Sequence, residues 1–315
     1  MVFEVKILGS SSATPTLNRN QSCQLLNINQ QFFLLDCGEG AQIQLLRSKI
    51  KIHKISYIFI SHLHGDHYLG LFGLISSMHL QGRSSHLTIF GPPGLPDIIT
   101  LQLKYSETVL SYPVTFKEIS PDNPGVILET EEVFVENIPM NHRIPCNGFL
   151  FREKRKRQRL IKEKLPKGIK ISEIIKLKDG LDIIDPESGN VLKNSDLAYP
   201  PKRSRSYAYC ADTLFDLSIL DQIKNVDLLY HESTFLSDLH ERAKKTHHCT
   251  AAQAATMAKM ANAGQLIIGH FSTRYNNLLP LLEEAKAVFE NTYLAIEGET
   301  FTIPDELESW NQPQK

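Results

Sequence analysis

Three histidines and an aspartate crowd into one heptapeptide, Ser61-His62-Leu63-His64-Gly65-Asp66-His67. Packing gives no reason for such a cluster, because a buried polar group without a partner costs roughly 1–3 kcal/mol. A borderline divalent ion such as zinc does give one, since it takes imidazole nitrogen and carboxylate oxygen together. In extended chain His62 and His64 point the same way. A turn at Gly65 would aim Asp66 and His67 elsewhere, so one short loop could serve two metals. The remaining ligands must come from distant sequence. His142 follows an apolar strand-like stretch at 133–138, Asp212 follows Tyr207-Ala208-Tyr209-Cys210-Ala211, and His270 follows Leu266-Ile267-Ile268-Gly269. Taken singly, each reads as a hydrogen-bonded loop residue. Strand ends along one sheet edge are, however, where α/β proteins gather sites. Together with the loop they make seven candidate ligands, enough for two metals.

The elements that would position these residues follow from periodicity and punctuation. Strands are expected at 3–8, 23–28, 32–37, 55–60, 87–90, 133–138, 206–210, 227–230, 266–268 and 293–296, with a hairpin across Asn29-Gln30. Helices are expected at 41–48, 69–80, 216–224, 251–262 and 278–290. Alternating strands and helices predict an α/β protein with at least one large buried sheet. The chain has 315 residues, 42% apolar and 22% charged, the balance of an ordinary globular protein. No apolar run approaches the roughly 20 residues that span a bilayer, and the N-terminal segment reads as a strand and a loop rather than a signal or transit peptide. Five scattered cysteines without a CxxC pair fit a reducing compartment such as the cytoplasm.

A net charge of -1 hides an asymmetry. Residues 152–205 hold 16 Lys/Arg against 8 Asp/Glu, a segment charge of +8. The densest stretch is FREKRKRQR at 151–159, which contains Lys154, Arg155, Lys156 and Arg157, and a smaller cluster is KRSR at 202–205. A solvated charged face is one reading. A contact surface for a polyanion, above all nucleic acid, is the other. The segment interrupts the strand–helix pattern and is expected to be an inserted basic arm.

SHLHGDH matches the HxHxDH signature of the metallo-β-lactamase superfamily, and the wider pattern resembles the short form of ribonuclease Z, the endonuclease that trims the 3′ end of precursor tRNA. The matching stretches include LGSSSATPT, LLDCGEGAQ, IFGPPGL, MNHRIPCNGF, YCADT, YHESTF, THHCTAAQA and IIGHFSTRY, in the family's order. The resemblance implies one domain over 1–315, an αββα sandwich of two mixed sheets flanked by helices, with 152–205 as a substrate-binding arm. It implies that His62, His64 and His142 hold one zinc, that Asp66, His67 and His270 hold another, and that Asp212 bridges them. It further implies Asp66 as proton acceptor, His248 as proton donor or orienting group, and a homodimer. The ligand set also accepts manganese or iron. Cys249 stands where the family usually has serine, and the arm lacks the expected Gly-Pro-rich turn.

Two zinc ions would neutralise a phosphodiester and supply hydroxide for in-line attack, leaving a tRNA 3′-hydroxyl and a trailer 5′-phosphate. Thr250-Ala251-Ala252-Gln253 is a capping-box pattern, which puts His248 just ahead of a helix start. A helix start disfavours protonated imidazole, and Glu232 in YHESTF is the candidate carboxylate that restores it. Arg274 offers a planar fork for bidentate phosphate binding. Asp36 and Glu39 are expected to support the turn or the metal ligands rather than to touch substrate. A small-molecule hydrolase of the same superfamily would need the metals but not the arm. A non-catalytic nucleic-acid binder would need a broken metal site, and every expected ligand is present.

Overall fold

The computed structural model describes residues 2–185 and 188–305; the ends of the expected 1–315 domain and two residues of the arm lie outside that range. The first half runs β1 (Phe3–Gly9), β2 (Cys23–Ile28), β3 (Gln31–Leu35), α1 (Ala41–Arg47), β4 (Ile55–Phe59), α2 (Gly65–Tyr68), α3 (Leu71–Leu80), β5 (Leu87–Gly91), α4 (Leu95–Tyr105) and β6 (Val114–Glu118). The second half begins with β7 (Gly125–Glu129), β8 (Val133–Met140) and β9 (Cys146–Glu153). It then enters the arm with α5 (Ile171–Lys178), β10 (Ile183–Ile184), β11 (Val191–Leu192) and α6 (Asn194–Leu197). It returns through β12 (Ser206–Cys210), β13 (Leu228–Glu232), α7 (His240–Thr246), α8 (Ala251–Met260), β14 (Gln265–Gly269), α9 (Leu279–Lys286), β15 (Thr292–Leu294) and β16 (Thr300–Thr302).

These strands form two seven-stranded sheets, β16-β1-β2-β3-β4-β5-β6 and β15-β14-β13-β12-β9-β8-β7. Both are mixed. β3 to β6 run parallel in the first sheet and β12 to β15 in the second, with antiparallel pairs completing each. The parallel strands are near-continuous apolar runs because both of their faces are covered. Between the sheets, Phe33 meets Phe151 at 5.4 Å and Phe59 meets Phe149 at 5.2 Å between ring centroids. The outer face of the first sheet packs on α1, α3 and α4 around Leu45, Leu74 and Ile99. Alanines of α8, with Leu281 and Ala285 of α9, belong to the core of the second sheet. This is the four-layer sandwich that the resemblance implied.

The hairpin at Asn29-Gln30 forms with both residues at positive φ, 50° and 69°, the conformation a two-residue turn between twisted strands requires. Two helical expectations shorten. Residues 216–224 yield one 3₁₀ turn, Leu217–Ile219, because Asp216 accepts from the Ser218 N–H and closes the chain locally. The helix expected over 278–290 is α9, which ends at Lys286. All five cysteines are free and buried.

The arm is narrower than the charge pattern suggested. Arg152 and Glu153 belong to β9, where Arg152 pairs with Ser206 of β12. Arg205 is only 1% exposed and donates to Glu153 through Nε and Nη2 at 2.8 and 2.7 Å. Lys202 bonds Asp305, and Arg203 pairs with Asp227. The KRSR cluster therefore ties the arm's root to the sandwich, with each of its three cations paired to a carboxylate and only Arg205 buried. Beyond the root the arm carries its own small core of Leu177, Ile183 and Leu197.

Candidate metal centre

The seven candidate ligands come from both sheets and converge at one edge of the sandwich. β4 leads into the loop carrying His62 and His64, α2 carries Asp66 and His67, β8 leads to His142, β12 to Asp212 and β14 to His270. His270 is held at a φ of +58°, a left-handed conformation that costs a side-chain-bearing residue roughly 1–2 kcal/mol. Close backbone approach fixes the rest of the edge. A Cβ on Gly70 would lie 2.2 Å from the Gly38 carbonyl oxygen, so only glycine lets the 36–40 turn sit against the start of α3.

Two groups of donor atoms result. His62 Nε2 and His142 Nε2 lie 3.0 and 3.1 Å from His64 Nδ1, and Asp212 Oδ2 is 3.7 Å from His62 Nε2 and 3.9 Å from His142 Nε2. In the second group, Asp66 Oδ2 lies 3.4 Å from His67 Nε2 and 3.3 Å from His270 Nε2. Asp212 Oδ1 is 3.4 and 3.2 Å from the same two nitrogens. One oxygen of Asp212 thus faces each group. His67 Nε2 and Asp212 Oδ1 are buried and make no hydrogen bond within the protein, an expense that a cation between them would remove.

The other ring nitrogens are held from outside. Asp36 Oδ2 sits 2.8 Å from His67 Nδ1. Asp36 also accepts from the Ser61 N–H at 2.7 Å and from the Tyr209 hydroxyl at 2.6 Å. His142 Nδ1 meets the His247 carbonyl at 3.0 Å and His270 Nδ1 meets Thr234 Oγ1 at 2.9 Å. This is how metal-binding imidazoles are oriented, with one nitrogen anchored and the other aimed inward. Asp36 was expected only as general support for this region; its bond to His67 had no local signal. Thr234 and the His247 carbonyl had none either.

Burial lowers His62, His64 and His142, the last to about 4, so these rings are neutral and able to ligate. His67 goes the other way. Burial opposes its charge, but Asp212, Asp66 and Asp36 overcome that and raise it well above its ordinary value. Three carboxylates around one imidazole hold a proton where a cation would sit, so metal loading should release a proton.

His248 lies between the two groups, 3.9 Å from Asp212 Oδ2, with its ring 5.4 Å from that of His142 and 5.3 Å from that of His270. The structure brings Glu232 to it, with Oε1 2.9 Å from His248 Nδ1. Glu232 is buried and also accepts from the backbone N–H groups of Thr213, Cys249 and Thr234. Burial pulls the His248 imidazole down, but Glu232 and Asp212 raise it to about 9. The capping box forms as read, Thr250 with Gln253. Cys249 is buried, with its thiol 3.2 Å from the Thr213 carbonyl.

Arg274 bonds Ser272 Oγ at 2.9 Å and stacks on Phe235 at 5.2 Å. Lys154 pairs with Glu129, Lys156 with Glu153 and Arg157 with Asp179. Arg155, Lys156 and Arg157 line a separate depression on the arm with Lys178.

Comparison with known proteins gives a consistent result. A ribonuclease Z of Cytophaga hutchinsonii is 53% identical over 308 residues, 98% of each chain. The chain belongs to the ribonuclease Z family. A ribonuclease Z of Bacteroides thetaiotaomicron is 45% identical over 302 residues, 96% of this chain and 95% of that one. The crystal structure of human tRNase Z, short form, superposes with a TM-score of 0.70 at 26% identity, covering 96% of this chain and 99% of the other. A metallo-beta-lactamase fold protein of Bacillus subtilis shares the fold at 19% identity and a TM-score of 0.67. A family described as Anti-Pycsar protein Apyc1 matches residues 3–154, a stretch that ends before Asp212, His248 and His270.

Proposed function

We propose that this protein is a divalent-metal-dependent endoribonuclease that removes 3′ trailers from precursor tRNA. The observation that carries the reading is the paired donor cluster split by Asp212, found in a chain that matches ribonuclease Z over nearly its whole length. His62, His64 and His142 would hold one ion, Asp66, His67 and His270 the other, with Asp212 between them. Zinc suits this donor set, with manganese or iron as substitutes. Bound ions supply neutralisation of the phosphodiester and make hydroxide available near neutral pH.

The chain's own residues do the rest. Asp66, held in place by the Ala13 N–H at 2.7 Å, orients the attacking water and accepts its proton. His248, kept protonated by Glu232, delivers a proton to the departing ribose 3′-oxygen. Products are a tRNA with a 3′-hydroxyl and a trailer with a 5′-phosphate. The basic arm, with Lys154, Arg155, Lys156 and Arg157 at its base, and Arg274 beside the site, would contact the RNA backbone.

Incubation with a 3′-extended tRNA precursor tests this directly. A cut near the acceptor stem with those end groups is expected with zinc or manganese, and none with chelator. No cut with metal present would overturn the reading. Because Arg152 and Ser206 are paired neighbours, residues 154–204 can be replaced by a short turn. That variant should lose at least about 100-fold on the precursor while still hydrolysing a small phosphodiester. No helix among the described residues is long and apolar enough to cross a membrane.

A homodimer is the expected assembly. Exposed Ile43 and Leu46 of α1 and Leu80 of α3 support it. Sedimentation should give twice 35.7 kDa, and Leu46→Glu should give the monomer.

A further inference from the structure

The donor groups open onto a cavity of about 310 Å³, walled among others by His64, Asp66, Asp212, His248 and His270. One more charged side chain lines it, Arg143, and none of the roles above uses it. Arg143 follows His142 in the short loop between β8 and β9 and is exposed. Its backbone is anchored on both sides. The Asn141 N–H donates to Thr213 Oγ1 at 3.1 Å and the Leu214 N–H to the Asn141 carbonyl at 2.9 Å. Cys146, three residues on, already belongs to β9.

The guanidinium itself is uncommitted. Among the described residues it makes no hydrogen bond, ion pair or ring contact. Arg274, Lys154, Lys156 and Arg157 all carry such contacts, and none of the four lines this cavity. An unpaired guanidinium on a fixed loop keeps five donors in a planar fork, the geometry that takes a phosphate bidentately. The residues that would hold the metals are buried or half-buried, whereas Arg143 is exposed and lines the cavity together with His64.

We propose that Arg143 is a substrate-contact residue that grips a backbone phosphate next to the scissile one as the RNA strand enters the cavity. This rests on the endoribonuclease reading. The role is one of binding, so it should show in KM and in salt dependence rather than in the chemical step.

The test compares wild type, Arg143→Ala and Arg143→Lys on a 3′-extended tRNA, by steady-state cleavage with metal and by fluorescence anisotropy of the same RNA in chelator. Arg143→Ala should raise KM and the anisotropy Kd by about 10-fold or more, with kcat changed less than about 3-fold. The slope of log Kd against log salt should shrink by about 0.7, one phosphate contact on a single strand. Arg143→Lys keeps the point charge and should restore the slope but only part of the affinity. Unchanged KM and slope in Arg143→Ala would overturn the proposal, as would a fall in kcat with the slope intact. If wild type itself cuts no precursor, the endoribonuclease reading falls and takes this one with it. If wild type cuts and the alanine variant matches it, only the role of Arg143 is lost.

Discussion

Asp212→Ala is expected to abolish precursor cleavage, lowering kcat/KM by at least about 10³-fold, and to reduce the metal content of the purified protein. The two oxygens of Asp212 face different donor groups, one 3.2 Å from His270 Nε2 and the other 3.7 Å from His62 Nε2. No other residue among the described ones joins both groups. Alanine removes both oxygens and leaves a set of facing imidazoles with less negative charge to offset a cation. Asp212→Asn retains the shape and one oxygen, so it should bind metal weakly and fall between alanine and wild type. Elemental analysis after gel filtration decides the matter together with cleavage rates. Full metal content and more than about a tenth of wild-type activity in Asp212→Ala would rule out a shared ligand.

His248→Ala should reduce kcat by about 10²–10⁴-fold, the usual worth of a positioned general acid, while KM changes little. Glu232→Gln should act through the pH profile. With the carboxylate 2.9 Å away, His248 holds its proton up to about 9. A neutral amide removes most of that support, and the imidazole falls toward its ordinary value of about 6.5. A general acid works only when protonated, so the basic limb of the kcat profile should move to lower pH in Glu232→Gln. Bound cations would lower the proton affinity of this imidazole in both proteins, which makes the displacement between the two profiles the quantity to measure. The same shift has a stability consequence in metal-free protein. Because the folded-state value is raised, the pair stabilises the fold fully below about 6.5, and that contribution is lost as pH rises through about 9. A Glu232→Gln profile superimposable on wild type would mean that the pair does not govern proton delivery.

Most of the sandwich and the His62–His67 cluster were legible in the order of residues, because those signals are local, whereas His142, Asp212 and His270 read singly as loop residues and are brought to the cluster by sheet order. A run such as 55–60 reports a strand covered on both faces, Asn29-Gln30 between apolar runs reports a hairpin, and His62 to His67 is a cluster that packing alone would not build. The Thr250–Gln253 capping box is equally local, since its partners are three residues apart.

Most charge pairing was decided by the tertiary structure. Residues 202–205 look like a free basic cluster, yet Arg205 is buried against Glu153, 52 residues away, because β9 and β12 are neighbours in the second sheet. Asp36 meets His67 across 31 residues, a separation that no periodicity spans, whereas the Glu232–His248 pair, 16 residues apart, was named from the sequence because an imidazole ahead of a helix start needs a carboxylate to keep its proton. Arg143 and Arg274 are indistinguishable as letters, but one stacks and bonds while the other is left facing the cavity. Residue types and short spacings determine backbone torsions, buried faces and the chemistry on offer. Which charge neutralises which depends on sheet order, because electrostatic and hydrogen-bonding partners act over a few ångströms of space rather than a few positions of chain.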